Sequence, residues 1–381
     1  MSSVNEAIIL PPAMLGILGG GQLGRMFAMA AKRMGYRVMV LDPDAQAPAA
    51  AFADVHLCAA YDDAAALAAL SECAAVTTEF ENVDAGSMLW LAQSTRVSPS
   101  GHSVAIAQDR EQEKTWIGKA GLATAPYKVI AVADDIGADC GALFPGILKT
   151  ATLGYDGKGQ VRVRNQAELT QAWAELGKVR CVLEKMLDLR SEISVIVCRL
   201  NSAQMTCFAP AENQHIDGIL AYSIVPARLP EALQQQAQQL ACCLADALDY
   251  VGVLAVEMFV VGDEMQLVVN EMAPRPHNSG HHTLDACVAS QFDQQVRLMC
   301  GLPPADTTLL NPCCMANILG DVWPAQGEPN WLAVLQQQAA HLHLYGKQEA
   351  RSGRKMGHFT QLATSADAAF DLAKASHAAL K

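Results

Sequence analysis

Residues 253–271 read Val253-Leu-Ala-Val-Glu-Met-Phe-Val-Val-Gly-Asp-Glu-Met-Gln-Leu-Val-Val-Asn-Glu271. Two apolar runs flank a short polar turn, which predicts a β-hairpin centred on Glu264. This register places Glu257 and Glu271 directly opposite each other, with side chains about 5 Å apart on one face. Two such carboxylates repel, and a divalent cation relieves the repulsion. The spacing favours a magnesium site over an exposed pair of acids at a sheet edge.

Polar side chains follow this hairpin at once, in the run Arg275-Pro-His-Asn-Ser-Gly-His-His282. A guanidinium, several imidazoles and an amide lie close together along the chain here. Histidines are often structural, but this combination is suited to binding a carboxylate or a phosphate. We therefore expect the run to form part of a site beside the predicted metal.

A second glycine-rich segment lies upstream, where Lys149 ends an apolar run and Gly154-Tyr-Asp-Gly-Lys-Gly-Gln160 follows. The pattern over residues 144–163 predicts two short strands joined by a loop. Backbone N–H groups of such a loop can surround a triphosphate while lysines neutralise its oxygens. The alternative is an exposed hairpin tip, and the loop lacks the G-x-x-x-x-G-K-[ST] pattern of a P-loop.

The beginning of the chain has the pattern of a βαβ unit. Residues 13–19 predict a buried strand, residues 22–34 a helix ended by Gly35, and residues 36–41 a second strand. Between the first strand and the helix, Gly19-Gly-Gly-Gln-Leu-Gly24 fits G-x-G-x-x-G, and Asp42 follows the second strand. NAD binding, another small-molecule site and a purely structural turn all remain open on this motif alone.

Near the end of the chain, four cations occur within nine residues: Lys347, Arg351, Arg354 and Lys355. The simplest interpretation is a solvated basic surface. The alternative is a group that binds a monophosphate.

Composition limits the class of protein. A length of 381 residues suits two or three domains, and 51% hydrophobic with 17% charged residues argues against disorder. The net charge of −12 argues against a broad nucleic-acid surface, so we expect no nucleic-acid partner. The most apolar stretch, residues 251–261, is interrupted by Glu257 and is shorter than the roughly 20 residues that span a bilayer. We expect no membrane partner and a cytoplasmic location.

The motifs occur together in an order that resembles the 5-(carboxyamino)imidazole ribonucleotide synthase family of ATP-grasp enzymes. The resemblance extends from about residue 13 to the end and is carried by Gly21-Gln-Leu-Gly-Arg-Met26, Glu79-Phe-Glu-Asn82, Gly154-Tyr-Asp-Gly-Lys-Gly-Gln160, Asn270-Glu-Met-Ala-Pro-Arg-Pro-His-Asn-Ser-Gly-His281 and Gly353-Arg-Lys-Met-Gly-His358. The Asn-Glu-x-x-x-Arg part is shared by many ATP-grasp enzymes. The His-Asn-Ser-Gly-His run combined with the late Gly-Arg-Lys-x-Gly-His run is much narrower.

The resemblance implies an α/β (α+β) ATP-grasp fold in three parts. An N-terminal, Rossmann-like preATP-grasp domain would span residues 1–110. The ATP-grasp domain would span residues 111–305, with its lid at about residues 120–200. A small C-terminal domain would span residues 306–381.

The resemblance also implies the ligands and the residues that bind them. ATP would be contacted by Arg110, Lys149, Gly154, Tyr155, Asp156, Gly157, Lys158, Gly159, Gln160, Glu184, Lys185, Met186, Leu187, Glu192, His215, Asn270 and Glu271. Glu257 and Glu271 match the family's ligands for Mg²⁺, with Mn²⁺ possible. The ribonucleotide substrate would be bound by Gln22, Glu79, Lys347 and Arg354. The residues that face bicarbonate and its acyl phosphate would be Arg275, His277 and Asn278.

The implied reaction is carboxylation of the exocyclic amine of 5-aminoimidazole ribonucleotide, driven by ATP and bicarbonate through carboxyphosphate, in purine biosynthesis by a homodimer. The first glycine loop would then serve this nucleotide and not NAD. A formate-dependent ribonucleotide transformylase of the same fold is one alternative. An NAD-dependent dehydrogenase and a catalytically silent nucleotide-binding protein are two others; the dehydrogenase leaves the second glycine loop and the Glu257/Glu271 pair unexplained.

Overall fold

The computed structural model describes residues 7–152, 154 and 159–381. The chain begins with a five-stranded parallel sheet of order β3-β2-β1-β4-β5. Its strands are β1 (Met14–Leu18), β2 (Arg37–Leu41), β3 (Val55–Leu57), β4 (Ala75–Thr78) and β5 (Arg96–Val97). The predicted βαβ opening is confirmed.

Five helices accompany this sheet: α1 (Gln22–Arg33), α2 (Ala64–Ser71), α3 (Ala85–Leu91), α4 (Gly101–Ala107) and α5 (Arg110–Lys119). Gly35 lies just beyond α1 with a φ of +85°, a conformation that costs glycine little, so the predicted stop is confirmed. The other four helices begin after an Asp or Ser whose side chain accepts a backbone N–H of the first turn.

A four-stranded antiparallel sheet of order β6-β9-β7-β8 comes next. Its elements are β6 (Tyr127–Ile130), β7 (Gly146–Thr150), β8 (Gln160–Val163), α6 (Gln166–Glu175) and β9 (Cys181–Lys185). The predicted pair of strands around the second glycine loop is confirmed as β7 and β8. A hydrophobic core that includes Leu148, Leu169 and Trp173 joins α6 to the sheet.

The rest of the chain builds a nine-stranded sheet of order β15-β14-β10-β12-β13-β16-β18-β17, with β11 paired to β10. Its strands are β10 (Leu189–Asn201), β11 (Gln204–Cys207), β12 (Ala211–Ile216), β13 (Ile219–Val225), β14 (Gly252–Val261), β15 (Gln266–Ala273), β16 (Cys313–Leu319), β17 (Ala340–Leu344) and β18 (Lys355–Leu362). The helices are α7 (Glu231–Ala247), α8 (Thr283–Ala286), α9 (Gln291–Met299), α10 (Leu332–Leu335) and α11 (Ala366–Ala378). Short 3₁₀ helices span Ala50–Phe52, Ala133–Asp135, Ala138–Leu143, Asn278–Gly280 and Gly320–Val322.

The last strands of the chain continue this sheet. β13 pairs antiparallel with β16, and β18 and β17 extend the sheet beyond it. The predicted boundary between residues 305 and 306 therefore does not interrupt the sheet. The three domain ranges stay predictions.

The hairpin of β14 and β15 pairs Glu257 with Glu271, so the predicted pairing is confirmed. The predicted centre is wrong by half a residue, because Val261 pairs with Gln266. That register alone would place Asn270 opposite Glu257. A β-bulge between Glu257 and Met258 inserts Asn270 as the extra residue and brings Glu271 into place.

Helix α9 lies between the first sheet and the large sheet. Phe292, Val296 and Met299 on one side belong to the core of α1 and β1. Leu298 on the other side packs with Ile196 of β10. Among the described residues, no helix has both the length and the apolarity needed to span a membrane.

Candidate active site

The paired carboxylates lie on one face of the large sheet, the face directed toward the first sheet. Glu257 and Glu271 are neighbours in register on β14 and β15, and Ser194 of β10 lies opposite Glu257 on its other side. Burial raises the pKa of Glu257 to about 8, and the field of Glu271 adds to this. The two side chains repel as predicted, and their shared face is suited to a divalent cation.

Cations surround Glu271. Arg110, the first residue of α5, contacts the Glu271 carboxylate at 3.1 Å. Burial alone would raise the pKa of Glu271, but Arg110 and then Lys149 outweigh it and lower the pKa. This end of the pair is therefore anionic and lies in a positively charged environment.

A carboxylate of the small sheet joins two lysines. Glu184 of β9 contacts Lys149 Nζ at 3.1 Å and Lys114 Nζ at 3.3 Å through one oxygen. Burial alone would raise the pKa of Glu184, but Lys149 and then Lys114 lower it. Lys114, whose side chain is 1% exposed, was not among the predicted site residues. A lysine inside a helix gives no pattern that marks it as buried.

Glu113 is a second residue that the sequence analysis did not identify. It lies on α5, is 2% exposed, and its carboxylate accepts the Met272 N–H at 2.6 Å. Burial and then Glu271 raise its pKa to about 8. Glu113 therefore fixes the backbone directly after Glu271.

The other described residues predicted to bind ATP lie at the end of β9, where Lys185 is the last residue, in the link that follows β9, and on strands of the large sheet, including Asn270 of β15. Met186 and Leu187 begin the three-residue link from β9 to β10, and the Met186 N–H donates to Pro145 O at 2.9 Å. Glu192 Oε2 of β10 lies 2.8 Å from His215 Nδ1 of β12. Burial alone would lower the pKa of His215, but Glu192 outweighs it and raises the pKa.

The second glycine loop is described only in part. Gly159 has a φ of +71°, and a Cβ there would lie 2.8 Å from Thr150 Oγ1, so this position requires glycine. Gly154 and Gln160 are also described, and Gln160 pairs with Lys149. The residues Tyr155, Asp156, Gly157 and Lys158 lie outside the described residues.

Arg275 follows β15 and is held by an acid from the first part of the chain. Its Nε donates to Glu81, and its Nη1 donates to Pro276 O at 3.0 Å. Burial alone would raise the pKa of Glu81, but Arg275 lowers it to about 2. Glu81 occurs in the Glu-Phe-Glu-Asn motif, yet no role was assigned to it. Its partner is 194 residues away, which local spacing cannot show.

The His277 ring lies at the end of a buried hydrogen-bond chain. With the Asn213 carboxamide oriented as in the structure, Ser223 donates to Asn213, Asn213 to Ser194, and Ser194 to Ser279, at 2.7–3.0 Å. The Ser279 hydroxyl then donates to His277 Nδ1 at 2.9 Å. His277 Nε2 lies 3.2 Å from Glu257. Burial and then Arg275 lower the pKa of His277 to about 3, so the ring is neutral and presents an Nε2–H.

Asn278 is next along this loop. Both polar atoms of its carboxamide are buried without a hydrogen-bond partner among the described residues. An unsatisfied buried amide is costly, because its desolvation is not compensated. A polar ligand would satisfy it.

The first glycine loop already binds an anion of the chain itself. The two Glu79 oxygens accept the Gly21 and Gly24 N–H groups, each at 2.6 Å. Asp42 accepts the Gly20 N–H at 2.7 Å. The N–H groups that would bind a dinucleotide pyrophosphate are therefore in use, which argues against the NAD interpretation. Gln22 begins α1 beside this carboxylate.

The late basic segment, residues 347–355, contains two residues that are predicted to bind the substrate. Lys347 Nζ donates to the Lys355 carbonyl at 2.8 Å, and Arg354 donates to the Glu349 carbonyl at 2.9 Å. Burial and then Arg354 lower the pKa of Lys347 to about 8, and Glu79 acts against this shift. The structure thus brings Lys347 near Glu79 from the opposite end of the chain.

A separate polar cluster lies behind the 277–281 loop. Asp285, His343 and His358 offer possible metal-ligand atoms within 4.8 Å of one another. His343 and His358, however, stack with ring planes 12° apart, so their in-plane lone pairs run side by side and do not converge. His343 also contacts Asp285 at 2.9 Å, and Tyr345 bonds His358 Nδ1 at 2.8 Å. We interpret the cluster as a hydrogen-bonded link between α8, β17 and β18.

Comparison with family models gives three matches along the chain. A ribonucleotide synthetase preATP-grasp domain matches residues 13–108, and an ATP-grasp domain matches residues 115–292. A phosphoribosylaminoimidazole carboxylase C-terminal domain matches residues 313–371. The predicted fold class is confirmed.

Similar proteins span nearly the whole chain. An N5-carboxyaminoimidazole ribonucleotide synthase of Bacillus subtilis is 45% identical over 360 residues, covering 94% of this chain and 93% of the relative. A crystal structure of an N5-carboxyaminoimidazole ribonucleotide synthetase with ADP has a TM-score of 0.90 and 43% identity, and the match covers 97% of this chain and 98% of that one. The Aspergillus clavatus enzyme in complex with ADP and 5-aminoimidazole ribonucleotide has a TM-score of 0.88 and 30% identity, covering 99% of each chain.

Proposed function

The chain belongs to the N5-carboxyaminoimidazole ribonucleotide synthase family of ATP-grasp ligases, and we propose from this premise how its residues carry out the reaction. The family reaction is the carboxylation of 5-aminoimidazole ribonucleotide in purine biosynthesis. We propose that bicarbonate supplies the carboxyl group and that carboxyphosphate is the intermediate. The pairing of Glu257 with Glu271 on neighbouring strands of the large sheet carries this proposal, because two adjacent carboxylates would hold the divalent cation that phosphoryl transfer requires.

The paired acids fit a magnesium ion. Burial and then repulsion from Glu271 raise the pKa of Glu257, a divalent cation would oppose both effects, and both side chains are oxygen ligands. Magnesium held there would supply positive charge to phosphate oxygens. Arg110 and Lys149 add fixed positive charge from the adjacent walls.

Arg275 and the 277–281 loop that follows it are suited to bicarbonate. Arg275 is a cation fixed by Glu81, and Asn278 has both amide atoms without a hydrogen-bond partner among the described residues. The His277 Nε2–H lies 3.2 Å from Glu257, so it connects this group to the proposed metal ligand. Together, Arg275 and Asn278 offer a charge and oriented hydrogen-bond donors to an anion. No residue has to form a covalent bond with the substrate, so positioning and electrostatics are the protein's contribution.

The proposed chemistry has two steps. A bicarbonate oxygen attacks the γ-phosphorus of ATP, the bond to ADP breaks, and carboxyphosphate forms. Carboxyphosphate then gives up its carbon dioxide unit to the exocyclic amine, which loses a proton, and inorganic phosphate leaves. Carboxyphosphate hydrolyses readily, so the small sheet would act as a lid that excludes water during both steps.

The ribonucleotide is proposed to lie between the first sheet and the late basic segment. Glu79 and Gln22 would contact it near α1, while Lys347 and Arg354 would bind its 5′-phosphate. Burial has the largest effect on the pKa of both Glu79 and Lys347, and the charge of each group then opposes the shift of the other, which supports a single site. A homodimer and a cytoplasmic location stay predictions; sedimentation of the purified chain tests the dimer.

The test of this function is an ADP-release assay. The purified chain is given ATP and Mg²⁺ with 5-aminoimidazole ribonucleotide, with bicarbonate, with both, or with neither. We expect rapid release only with both. Turnover with formate in place of bicarbonate would favour the transformylase, and NAD binding without ATP binding would favour the dehydrogenase. ATP binding with no dependence on bicarbonate would favour the catalytically silent protein.

A further inference from the structure

Helix α9 carries three glutamines that are almost completely buried. Gln291 and Gln294 are 0% exposed, and Gln295 is 5% exposed. Burying an amide is unfavourable unless its donors and acceptors are paired. Each of these side chains is therefore expected to hold a particular segment of the chain.

Gln291 holds the residue that begins the active-site loop. Its Nε2 donates to His277 O at 2.8 Å, and its Oε1 accepts the His277 N–H at 2.8 Å. One side chain thus satisfies both backbone groups of His277, as a neighbouring strand would. The second Nε2 hydrogen is directed at His281 Nδ1, 3.2 Å away.

The loop is shaped to admit this amide. A Cβ on Gly280 would lie 2.5 Å from Gln291 Oε1 and 2.8 Å from its Cδ, so only glycine leaves room for the amide. Thr283 Oγ1 accepts the Gln291 backbone N–H at 3.0 Å and so fixes the start of α9 against the same loop.

We propose that Gln291 is a positioning residue for the reaction, because it fixes the backbone on which His277 and Asn278 project into the site. The proposal rests on the proposed role of this loop in binding bicarbonate. The ring of His277 is held separately by Ser279, so Gln291 controls the backbone and not the tautomer. Small displacements of groups that bind reactants lower rates strongly, by up to about a hundredfold for 1 Å.

Gln294 is a matched control on the same helix. Its Nε2 donates to Ala305 O at 2.8 Å, and its Oε1 accepts the Ala305 N–H at 2.9 Å. The two glutamines therefore have equal burial and the same type of backbone pairing. They differ in which segment they hold, because Ala305 is not among the proposed site residues.

The experiment compares Gln291→Leu with Gln294→Leu in the full chain. Thermal midpoint, ADP affinity and bicarbonate-dependent ADP release with 5-aminoimidazole ribonucleotide are measured for each variant and the parent. Both variants are expected to lose similar thermal stability. Gln291→Leu is expected to lower kcat, or to raise the KM for bicarbonate, about tenfold or more relative to Gln294→Leu, with ADP affinity within about twofold of the parent.

A second pair, Gln291→Glu and Gln294→Glu, keeps side-chain size and one acceptor while removing the donors. If Gln291→Leu does not fold, this second pair of variants tests the positioning role of Gln291. Equal activity loss in matched variants, or parental activity in a folded Gln291 variant, would overturn the proposal. So would failure of both Gln291 variants to fold while both Gln294 variants fold, because Gln291 would then serve the fold alone. If the parent itself shows no bicarbonate dependence, the proposed function fails, and this inference fails with it; a parent that depends on bicarbonate confines any failure to the inference.

Discussion

At the scale of single residues, the site depends on charged groups that would be costly to bury alone. Glu257, Glu271 and Glu113 are carboxylates within one part of the site, and Arg110 is the cation in direct contact. Glu113 is 2% exposed, whereas the Glu271 side chain is 39% exposed, so the cost of an unpaired buried charge, on the order of 3–5 kcal/mol, applies to Glu113 and much less to Glu271. The arrangement is reasonable for a protein that binds a divalent cation and a triphosphate there.

Glu271→Gln tests the metal assignment. The change keeps size and shape but removes one of two anionic ligands, so ATP turnover is expected to fall at least about a hundredfold with the fold intact. ADP release and thermal midpoint are measured together. Glu264→Gln in the exposed turn of the same hairpin is the control and is expected to match the parent. Near-normal turnover of Glu271→Gln at ordinary magnesium concentration would rule out the assignment.

Lys347 and Arg354 can be tested against the interpretation of a solvated surface. Removing a charge-assisted phosphate contact costs about 1.5–3 kcal/mol, or about tenfold to a hundredfold in substrate binding. The KM for 5-aminoimidazole ribonucleotide is therefore expected to rise in Lys347→Ala and Arg354→Ala, with little change for ATP. Arg351→Ala is the control, because Arg351 is exposed and paired with Glu349 at 2.8 Å. If all three variants had the same KM as the parent, the 5′-phosphate would have to bind outside this segment.

The pH dependence of substrate binding follows from Lys347. A lysine carries its charge below its pKa, and burial, then Arg354 and finally Lys355 lower this pKa to about 8, against the opposing effect of Glu79. The 5′-phosphate contact is thus present at pH 7 and is lost as the pH rises through about 8. The ribonucleotide KM should rise over that interval in the parent. It should not rise there in Lys347→Arg, because arginine stays charged; an equal rise in both would contradict this account.

At the scale of elements, the four-stranded sheet contributes Lys149 and Glu184 to one side of the ATP space. The second glycine loop joins β7 and β8, and a short link of residues 186–188 connects β9 to the large sheet. Elements that close over ligands commonly turn on such short links. We expect the four-stranded sheet to act as a unit that binds the triphosphate of ATP and makes no contact with the ribonucleotide.

Lys149→Ala tests whether the four-stranded sheet binds ATP and not the ribonucleotide. ATP affinity is expected to fall about tenfold or more, because a charge-assisted contact is lost, while ribonucleotide affinity stays within about twofold. Lys128→Ala is a control on the same sheet, since Lys128 pairs with Asp139 at 2.6 Å. Calorimetric titration measures both affinities in both variants. Equal loss of both affinities in Lys149→Ala would indicate general destabilisation.

Local sequence pattern predicted the elements well where the signal is short-range. The β14/β15 hairpin follows from alternating apolar residues and a polar turn, and the α1 stop follows from Gly35. The bulge at Asn270 was not predictable, because a one-residue register shift depends on packing against neighbouring strands. The motif of the first glycine loop left NAD binding open for a similar reason, since Glu79 binds this loop from 55–58 residues away, which local spacing cannot show.

At the scale of the whole molecule, three parts of the chain meet at one site. β16, β17 and β18 extend the large sheet, and the late basic segment joins β17 to β18 beside the first sheet. The resemblance predicted these three parts but not the continuous sheet, because the β13/β16 pairing joins strands about 90 residues apart. Buried polar residues such as Gln291, Glu113 and Lys114 were missed because no periodic pattern marks a buried amide or charge on a helix.

The central claim is that ATP activates bicarbonate by phosphorylating it, and oxygen transfer tests this most directly. Freshly dissolved ¹⁸O-bicarbonate is given to the chain with ATP, Mg²⁺ and 5-aminoimidazole ribonucleotide, and the phosphate formed is examined by mass spectrometry. Because a bicarbonate oxygen attacks the γ-phosphorus, each phosphate released by coupled turnover is predicted to carry one ¹⁸O atom. Formation of the carboxylated ribonucleotide with unlabelled phosphate would contradict the account.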